Sequence, residues 1–272
     1  MAEPDRYLLG RSSEEEVRLR RQMADIAKDS DGQLDRIGIK PGERVIDMGC
    51  GPGGALDLLS RRVGPTGSVT GMERSPNFVG LARKFAAEMG LSNVTVVEGD
   101  VYAPGLPERS FDGAHMRLVL VNVPRPDHVV RQLVALVKPG GWVASLEAGW
   151  HTFACDPPHP AWARLFKAFS DFSSAQGIDL NIGAKTHRLF RDAGLADIAV
   201  DLVARVHPAG HFRRVTLISF VNNVREQLIE VGHIGRDELE RETAALEAHL
   251  ADPAVQVTSH MFYRLTGRAP AA

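Results

Sequence analysis

Cysteine is nearly absent: only Cys50 and Cys155 occur in 272 residues, and they form no CxxC pair. That excludes a disulfide framework and a cysteine-rich zinc site, and it fits a reducing cytoplasm. No run approaches the ~18 consecutive apolar residues that span a bilayer, so no membrane partner is expected. The opening Met-Ala-Glu-Pro-Asp-Arg lacks the basic-then-apolar layout of a secretion signal. Strong charge of one sign is missing too. The formal net charge is −2 and the pI near 6.6, which removes the electrostatic case for nucleic acid as a partner. No internal repeat or low-complexity tract stands out. What remains, 44% hydrophobic and 24% charged, is an ordinary globular composition, long enough for one large α/β domain with insertions.

The most informative stretch is residues 44–54, Arg-Val-Ile-Asp-Met-Gly-Cys-Gly-Pro-Gly-Gly. Residues 44–48 predict a short buried strand, because Val45 and Ile46 are apolar and β-branched. Residues 55–62 predict a helix with Leu56, Leu58 and Leu59 on its apolar side. A strand, a glycine turn and a helix open a doubly wound α/β domain, whose ligands bind beyond the carboxyl ends of the strands. Gly49, Gly51 and Gly54 also satisfy G-x-G-x-x-G, so an NAD(P)-dependent oxidoreductase is one reading of the turn. Asp47 argues against it. A pyrophosphate there would meet a carboxylate of its own sign, and at ~4 Å and an effective dielectric near 20 the repulsion is roughly 4 kcal/mol before screening. A cationic ligand turns that repulsion into attraction. S-adenosylmethionine, with a sulfonium and an ammonium, suits Asp47. The plainer role for Asp47 is to cap the helix that follows.

Upstream, residues 12–28 predict a helix capped by Ser12 or Ser13, with Glu14, Glu15 and Glu16 at its positive end. It reads either as a solvated helix or as a lid with Tyr7, Arg18 and Gln22 turned inward. Downstream, strands and helices alternate. Residues 67–72 predict a second strand with Glu73 at its end, placed to accept hydrogen bonds from ribose hydroxyls. Residues 76–89 predict a helix and residues 93–97 a third strand, followed by Gly99, Asp100 and Val101. Asp100 could accept from an exocyclic amine of adenine while the next N–H faces a ring nitrogen. Residues 111–116 predict a fourth strand and 129–137 a helix, stopped by Lys138-Pro139-Gly140-Gly141 before a fifth strand at 142–147.

Taken together, Asp47-Met48-Gly49-Cys50-Gly51-Pro52-Gly53, Glu73, Gly99-Asp100 and the Lys138-Pro139-Gly140-Gly141 turn resemble the class I S-adenosylmethionine-dependent methyltransferases. The resemblance is strong over residues 38–149. It implies a Rossmann-like, doubly wound seven-stranded sheet whose last strand runs antiparallel, and residues 198–206 and 255–265 are the late strand candidates. The closing Thr266-Gly267-Arg268-Ala269-Pro270 is similar to the family's ending. The leader Tyr7-Leu8-Leu9-Gly10, followed by Glu16, Arg18, Leu19 and Gln22, is similar to that of small-molecule members, in which it closes over the cofactor. By the same resemblance Asp47, Gly49, Cys50 and Gly51 line the methionine end, Glu73 takes the ribose, and Gly99, Asp100 and Val101 meet the adenine, flanked by Met72 or Arg74. His115 and Arg117 fall near the methionine carboxylate or the transferring methyl. Arg117 departs from the acid or small polar residue usual there. The implied domains are a helical lid at 1–32, the cofactor-binding core at 33–150, a substrate cap at 151–192, and core strands at 193–270 interrupted by a helical insertion at about 212–250.

The substrate half should come from those insertions. Trp150, His151, Phe153, Trp162, Phe166, Phe169 and Phe172 could wall a pocket for an apolar acceptor, although each could equally be packing. Three shorter signals carry less. Asp156-Pro157-Pro158-His159 is similar to a nucleic-acid amine methylation signature but follows the wrong strand, and reads as a proline-stiffened loop. His207 and His211 are separated by Pro208 and Gly210, which spoil the helix a zinc pair requires, so no metal is expected. His151, just past the fifth strand, is a candidate general base. The function expected is in-line methyl transfer to oxygen, nitrogen or carbon of a small, largely apolar molecule, with S-adenosyl-L-homocysteine as the second product. Alignment of acceptor, methyl and sulfur would be the main catalytic term. The rival reading is a protein of the same fold that binds the cofactor and catalyses a rearrangement or cyclisation without methylation. A homodimer is compatible with either.

Overall fold

The computed structural model describes residues 13–271, so Tyr7 and the leader at 7–10 lie outside the described residues. Helix α1 (Ser13–Ile37) leads into β1 (Arg44–Met48), α2 (Leu56–Val63), β2 (Ser68–Glu73), α3 (Pro76–Glu88) and β3 (Val94–Glu98). Next come β4 (Phe111–Arg117), α4 (Pro126–Leu136), β5 (Val137–Gly149), β6 (Ala154–Asp156), α5 (Pro160–Ala175), α6 (Ile182–Asp192) and β7 (Ala196–Val203). The order ends with β8 (Val206–His207), α7 (Thr216–Asn223), α8 (Arg225–Glu230), α9 (Arg236–Ala251), β9 (Gln256–Thr258) and β10 (Met261–Arg268).

Seven strands form one sheet in the order β3-β2-β1-β4-β5-β10-β7. All are parallel except β10, which runs antiparallel to both β5 and β7. This is the sheet that the resemblance implies, last strand included. The central strands β1, β4 and the second half of β5 are buried on both faces, whereas the edge strands β3 and β7 are largely exposed. In β1, Val45 packs with Leu34, Leu56 and Leu59 on the side of α1 and α2, and Ile46 with Leu133 and Phe190 on the side of α4 and α6. A third core fills the cap, built from Trp150, Phe153, Trp162, Phe169 and Phe220 of segments after β5. The small antiparallel sheet of β6, β9 and β8 joins this cap through Cys155 and Val257. Helix α6 lies with the main sheet instead, since Ile182 and Phe190 enter the core beside α4.

Two elements depart from expectation for physical reasons. Helix α1 does not stop at Lys28 but continues to Ile37. Its polar Asp29-Ser30-Asp31-Gly32 segment is held by tertiary partners: Arg205 donates to Asp29 at 2.6 Å, Arg117 to Ser30 at 3.1 Å, and Arg62 pairs with Asp31 at 2.9 Å. Beyond it Gln33 donates to the carbonyls of Ser145 and Leu265 at 2.9 and 2.8 Å, pinning α1 across β5 and β10. The second half of α1 is therefore core. The Lys138-Pro139-Gly140-Gly141 turn, expected to precede a strand, lies inside β5 as an irregularity, because Phe111 pairs with Val137 and Gly113 already pairs with Trp142.

Candidate active site

The turn after β1 is latched to the end of β2, where the N–H groups of Gly49 and Cys50 donate to the Met72 carbonyl at 2.8 and 2.9 Å. Gly54 has φ +46°, and a Cβ on it would stand 2.3 Å from Asp47 Oδ2. Only glycine leaves room there for the acid. Gly51 also has positive φ, +55°, but a Cβ there would meet nothing within 4 Å. At that point the backbone opens on the cavity that Gly51 borders.

Acids stand at the carboxyl ends of consecutive strands, and each is tied to local backbone. Asp47 is 1% exposed; its Oδ2 accepts from Ala55 N–H at 2.9 Å and its Oδ1 meets His115 Nδ1 at 2.7 Å. Burial works to raise the Asp47 pKa, but His115, the Ala55 N–H and Arg117 hold it below the ordinary carboxylate value. Glu73 accepts from Gly51 N–H at 3.0 Å and from Ser75 N–H at 2.8 Å, so it braces the turn and the start of α3 together. Asp100 accepts from Tyr102 N–H at 2.9 Å. Glu147, fully buried near the end of β5, takes the N–H groups of Val119, Leu120 and Val121 at 3.1, 3.0 and 3.2 Å. Burial pushes its carboxyl up to about 7 against those three donors.

One cavity of about 280 Å³ runs from this row of acids into the cap. At one end it is bordered by Gly49, Cys50, Gly51, Glu73, Asp100 and Val101, with Arg74 beside them. At the other stand Trp150, Phe169, Ile178, Leu180, Phe220 and Phe262. Arg18 and Gln22 of α1 form a wall, joined to each other at 2.7 Å, and Arg18 lies 4.9 Å over the ring of Phe220. Arg117 also borders the cavity, donating to the Gly54 carbonyl at 2.6 Å.

Several residues singled out in the sequence do not border this space. Met72 is fully buried within the sheet core, and Gly99 is a turn residue whose N–H donates to the Glu73 carbonyl at 3.0 Å. His115 is fully buried behind Asp47. His151 is exposed and outside the cavity, bridging Asn181 Oδ1 and the Tyr263 hydroxyl, each at 3.0 Å. That position does not suit a general base for an acceptor inside. His207 and His211 stack at 4.7 Å between ring centres, and the described residues contain no cluster fit to hold a metal ion. Sequence reasoning missed Glu147, although an acid at the end of a parallel strand repeats the signal of Asp47 and Glu73. It also missed Arg213 and His260, for which no local signal exists, because a loop before α7 and the start of β10 meet only in the folded chain.

Residues 45–141 match the family model described as a methyltransferase domain. A demethylmenaquinone methyltransferase of Geobacillus sp. (strain WCH70) is 29% identical over 196 residues, covering 66% of this chain and 83% of that protein. An uncharacterised 37.1 kDa protein in transposon TN4556 of Streptomyces fradiae is 32% identical over 164 residues, covering 60% of this chain but only 46% of its own length. The chain thus spans less than half of that relative. Among solved structures, the 4+2-cyclase SpnF superposes with a TM-score of 0.56 at 21% identity, over 90% of this chain and 82% of its own. At that identity the likeness is one of fold. The domain match covers the glycine turn and the strand ends that bear Asp47, Glu73 and Asp100, and the sheet closes with the antiparallel strand that the resemblance implied. A methyltransferase domain thus occupies residues 45–141, and the chain resembles the class I S-adenosylmethionine-dependent methyltransferases.

Proposed function

We propose that this chain transfers the methyl group of S-adenosylmethionine to a small, largely apolar acceptor, at oxygen, nitrogen or carbon. The observation that carries the reading is the single cavity joining the acid-rich strand ends to an aromatic cap. The residues present fit the cofactor: the backbone at Gly51 is open to the cavity, and Glu73 and Asp100 border it as hydrogen-bond acceptors. Gly49 to Gly51 would hold the methionine end, Glu73 the ribose hydroxyls, and Asp100 with Val101 the adenine edge, with Arg74 alongside. Both Asp47 oxygens are engaged by the protein. Its contribution to a cationic ligand is therefore its field, at close range in a dry site.

When bound, the cofactor supplies an electrophilic methyl on a positively charged sulfur. The chain's part is to place and enclose. Trp150, Phe169 and Phe220 give an apolar wall that orders an acceptor and keeps water out, and such alignment can be worth roughly 7–11 kcal/mol of barrier. Arg18 and Gln22 close the side formed by α1. Among the described residues no helix is long and apolar enough to cross a membrane, and both cysteines are free and buried.

The test is a screen of aromatic and polycyclic hydroxyl and amino compounds with methyl-labelled cofactor. Label in an extractable product, with equimolar S-adenosylhomocysteine, is the expected result. Conversion of an acceptor with no release of S-adenosylhomocysteine would instead establish the non-methylating rearrangement. The fold of SpnF keeps that rival relevant.

A further inference from the structure

The aromatic end of the cavity contains two buried polar atoms with no hydrogen-bond partner among the described residues. Arg213 and His260 both border it and are 4% and 5% exposed. Arg213 Nε donates to Asp25 at 2.6 Å, yet its Nη2 is buried with no hydrogen-bond partner. His260 Nε2 is buried and unpartnered as well. The other unpartnered buried atoms among the described residues belong to Gln33, His115, His207, Arg225, Thr243 and Arg264, none of which borders the cavity. An orphaned buried donor or acceptor costs about 1–3 kcal/mol, so two on one cavity wall mark a place that a ligand completes.

Both groups approach the Phe262 ring. The guanidinium carbon of Arg213 lies 5.8 Å from the centre of Phe262, and the His260 ring centre 6.3 Å from the same point. His260 is fixed by stacking on Phe153 at 4.1 Å and by an edge contact with Trp150 at 4.4 Å. Burial, reinforced by the charges of Arg213 and Arg18, holds its imidazole well below the ordinary range and hence neutral. A neutral imidazole nitrogen can accept, whereas a guanidinium can only donate.

Building on the methyl-transfer reading, we propose that the acceptor is a planar hydroxylated ring of phenol type, its hydroxyl accepting from Arg213 Nη2 and donating to His260 Nε2. A hydroxyl on an otherwise apolar ring serves both at once. An ammonium would face the Arg213 cation, a carboxylate has no proton to give His260, and a bare hydrocarbon would leave both orphans unpaired. The ring itself finds Trp150, Phe169 and Phe220 along the same wall. Arg213 and His260 thereby set which apolar rings are accepted and how they are turned.

The probes are 2-naphthol and naphthalene, measured by equilibrium dialysis against the full chain saturated with S-adenosylhomocysteine. Naphthol should bind roughly tenfold or more tightly than naphthalene, since the hydrocarbon leaves the buried polar groups unpaired. His260→Phe keeps the ring stacking and removes Nε2, while Arg213→Lys keeps a cation for Asp25 and removes Nη2. Each should cut the preference to about threefold or less with S-adenosylhomocysteine affinity preserved. Equal binding of the two probes by the wild type, no binding of naphthol, or a preference that survives in a folded variant would overturn the proposal. Absence of S-adenosylhomocysteine binding would instead overturn the methyl-transfer reading, and the naphthol-to-naphthalene ratio without it would still decide on the clamp.

Discussion

Asp47 Oδ1 and His115 Nδ1 meet at 2.7 Å, in a pair whose side chains are 1% and 0% exposed. With Ala55 N–H on the second oxygen, Asp47 is at once the cap of α2 and the anchor of the glycine turn. Any effect on a ligand must come through its charge. Asp47→Asn removes that charge while keeping an oxygen for Ala55, so it should weaken S-adenosylmethionine more than S-adenosylhomocysteine, whose sulfur is neutral. A discrimination of roughly threefold to tenfold is expected for a close, partly shielded charge. Titration calorimetry with both ligands measures it. Equal losses would mean that Asp47 acts only through the fold.

His115→Ala should destabilise the protein by about 1–3 kcal/mol, because a buried carboxylate loses its partner and no water replaces it. Urea unfolding reads this directly. A variant as stable as the wild type would show that the Asp47–His115 pair contributes nothing net, as some buried pairs do.

Glu147 gives stability a pH dependence of stated sign. The folded chain keeps its proton up to about pH 7, whereas an ordinary glutamate releases it near 4.5. Folding then loses stability as pH rises between those values, by roughly 3 kcal/mol at most. Glu147→Gln is neutral throughout, so relative to wild type it should gain stability from pH 4.5 to pH 8. Paired denaturation curves at the two pH values test it. A constant difference would mean that Glu147 ionises alike in both states, its three N–H donors offsetting burial.

His151 lies outside the cavity, hydrogen-bonded to Asn181 and Tyr263. His151→Ala should therefore change kcat/KM less than about threefold, where removal of a general base would cost roughly 100-fold or more. A large loss in kcat with a shifted pH profile would return His151 to the chemistry.

The acid-rich end of the cavity was legible because its signals are local: Asp47, the glycines, Glu73 and Asp100 each sit at or just past the end of a strand. The first half of α1 was legible too, as Arg18 and Gln22 do border the cavity. The second half was not. Asp29-Ser30-Asp31-Gly32 reads as a helix stop unless one knows that Arg205, Arg117 and Arg62 converge on it. Ile26 and Asp29 are buried as well. Deleting residues 1–29 removes part of the core and should cost folding as well as binding. Gln22→Ala instead should weaken S-adenosylhomocysteine with the melting temperature of the free protein unchanged; an unaltered affinity would make α1 a bystander. The aromatic end was only partly legible: Trp150 and Phe169 border it, but Phe220, Phe262, Arg213 and His260 come from segments that only the cap brings together.

The most direct measurement is calorimetric titration of the wild-type chain with S-adenosylhomocysteine and, separately, with NAD. Saturable binding of one S-adenosylhomocysteine per chain, weakened by Glu73→Gln and Asp100→Asn, with no heat from NAD, is the expected result. Saturable NAD binding with none of S-adenosylhomocysteine would contradict the methyltransferase assignment outright.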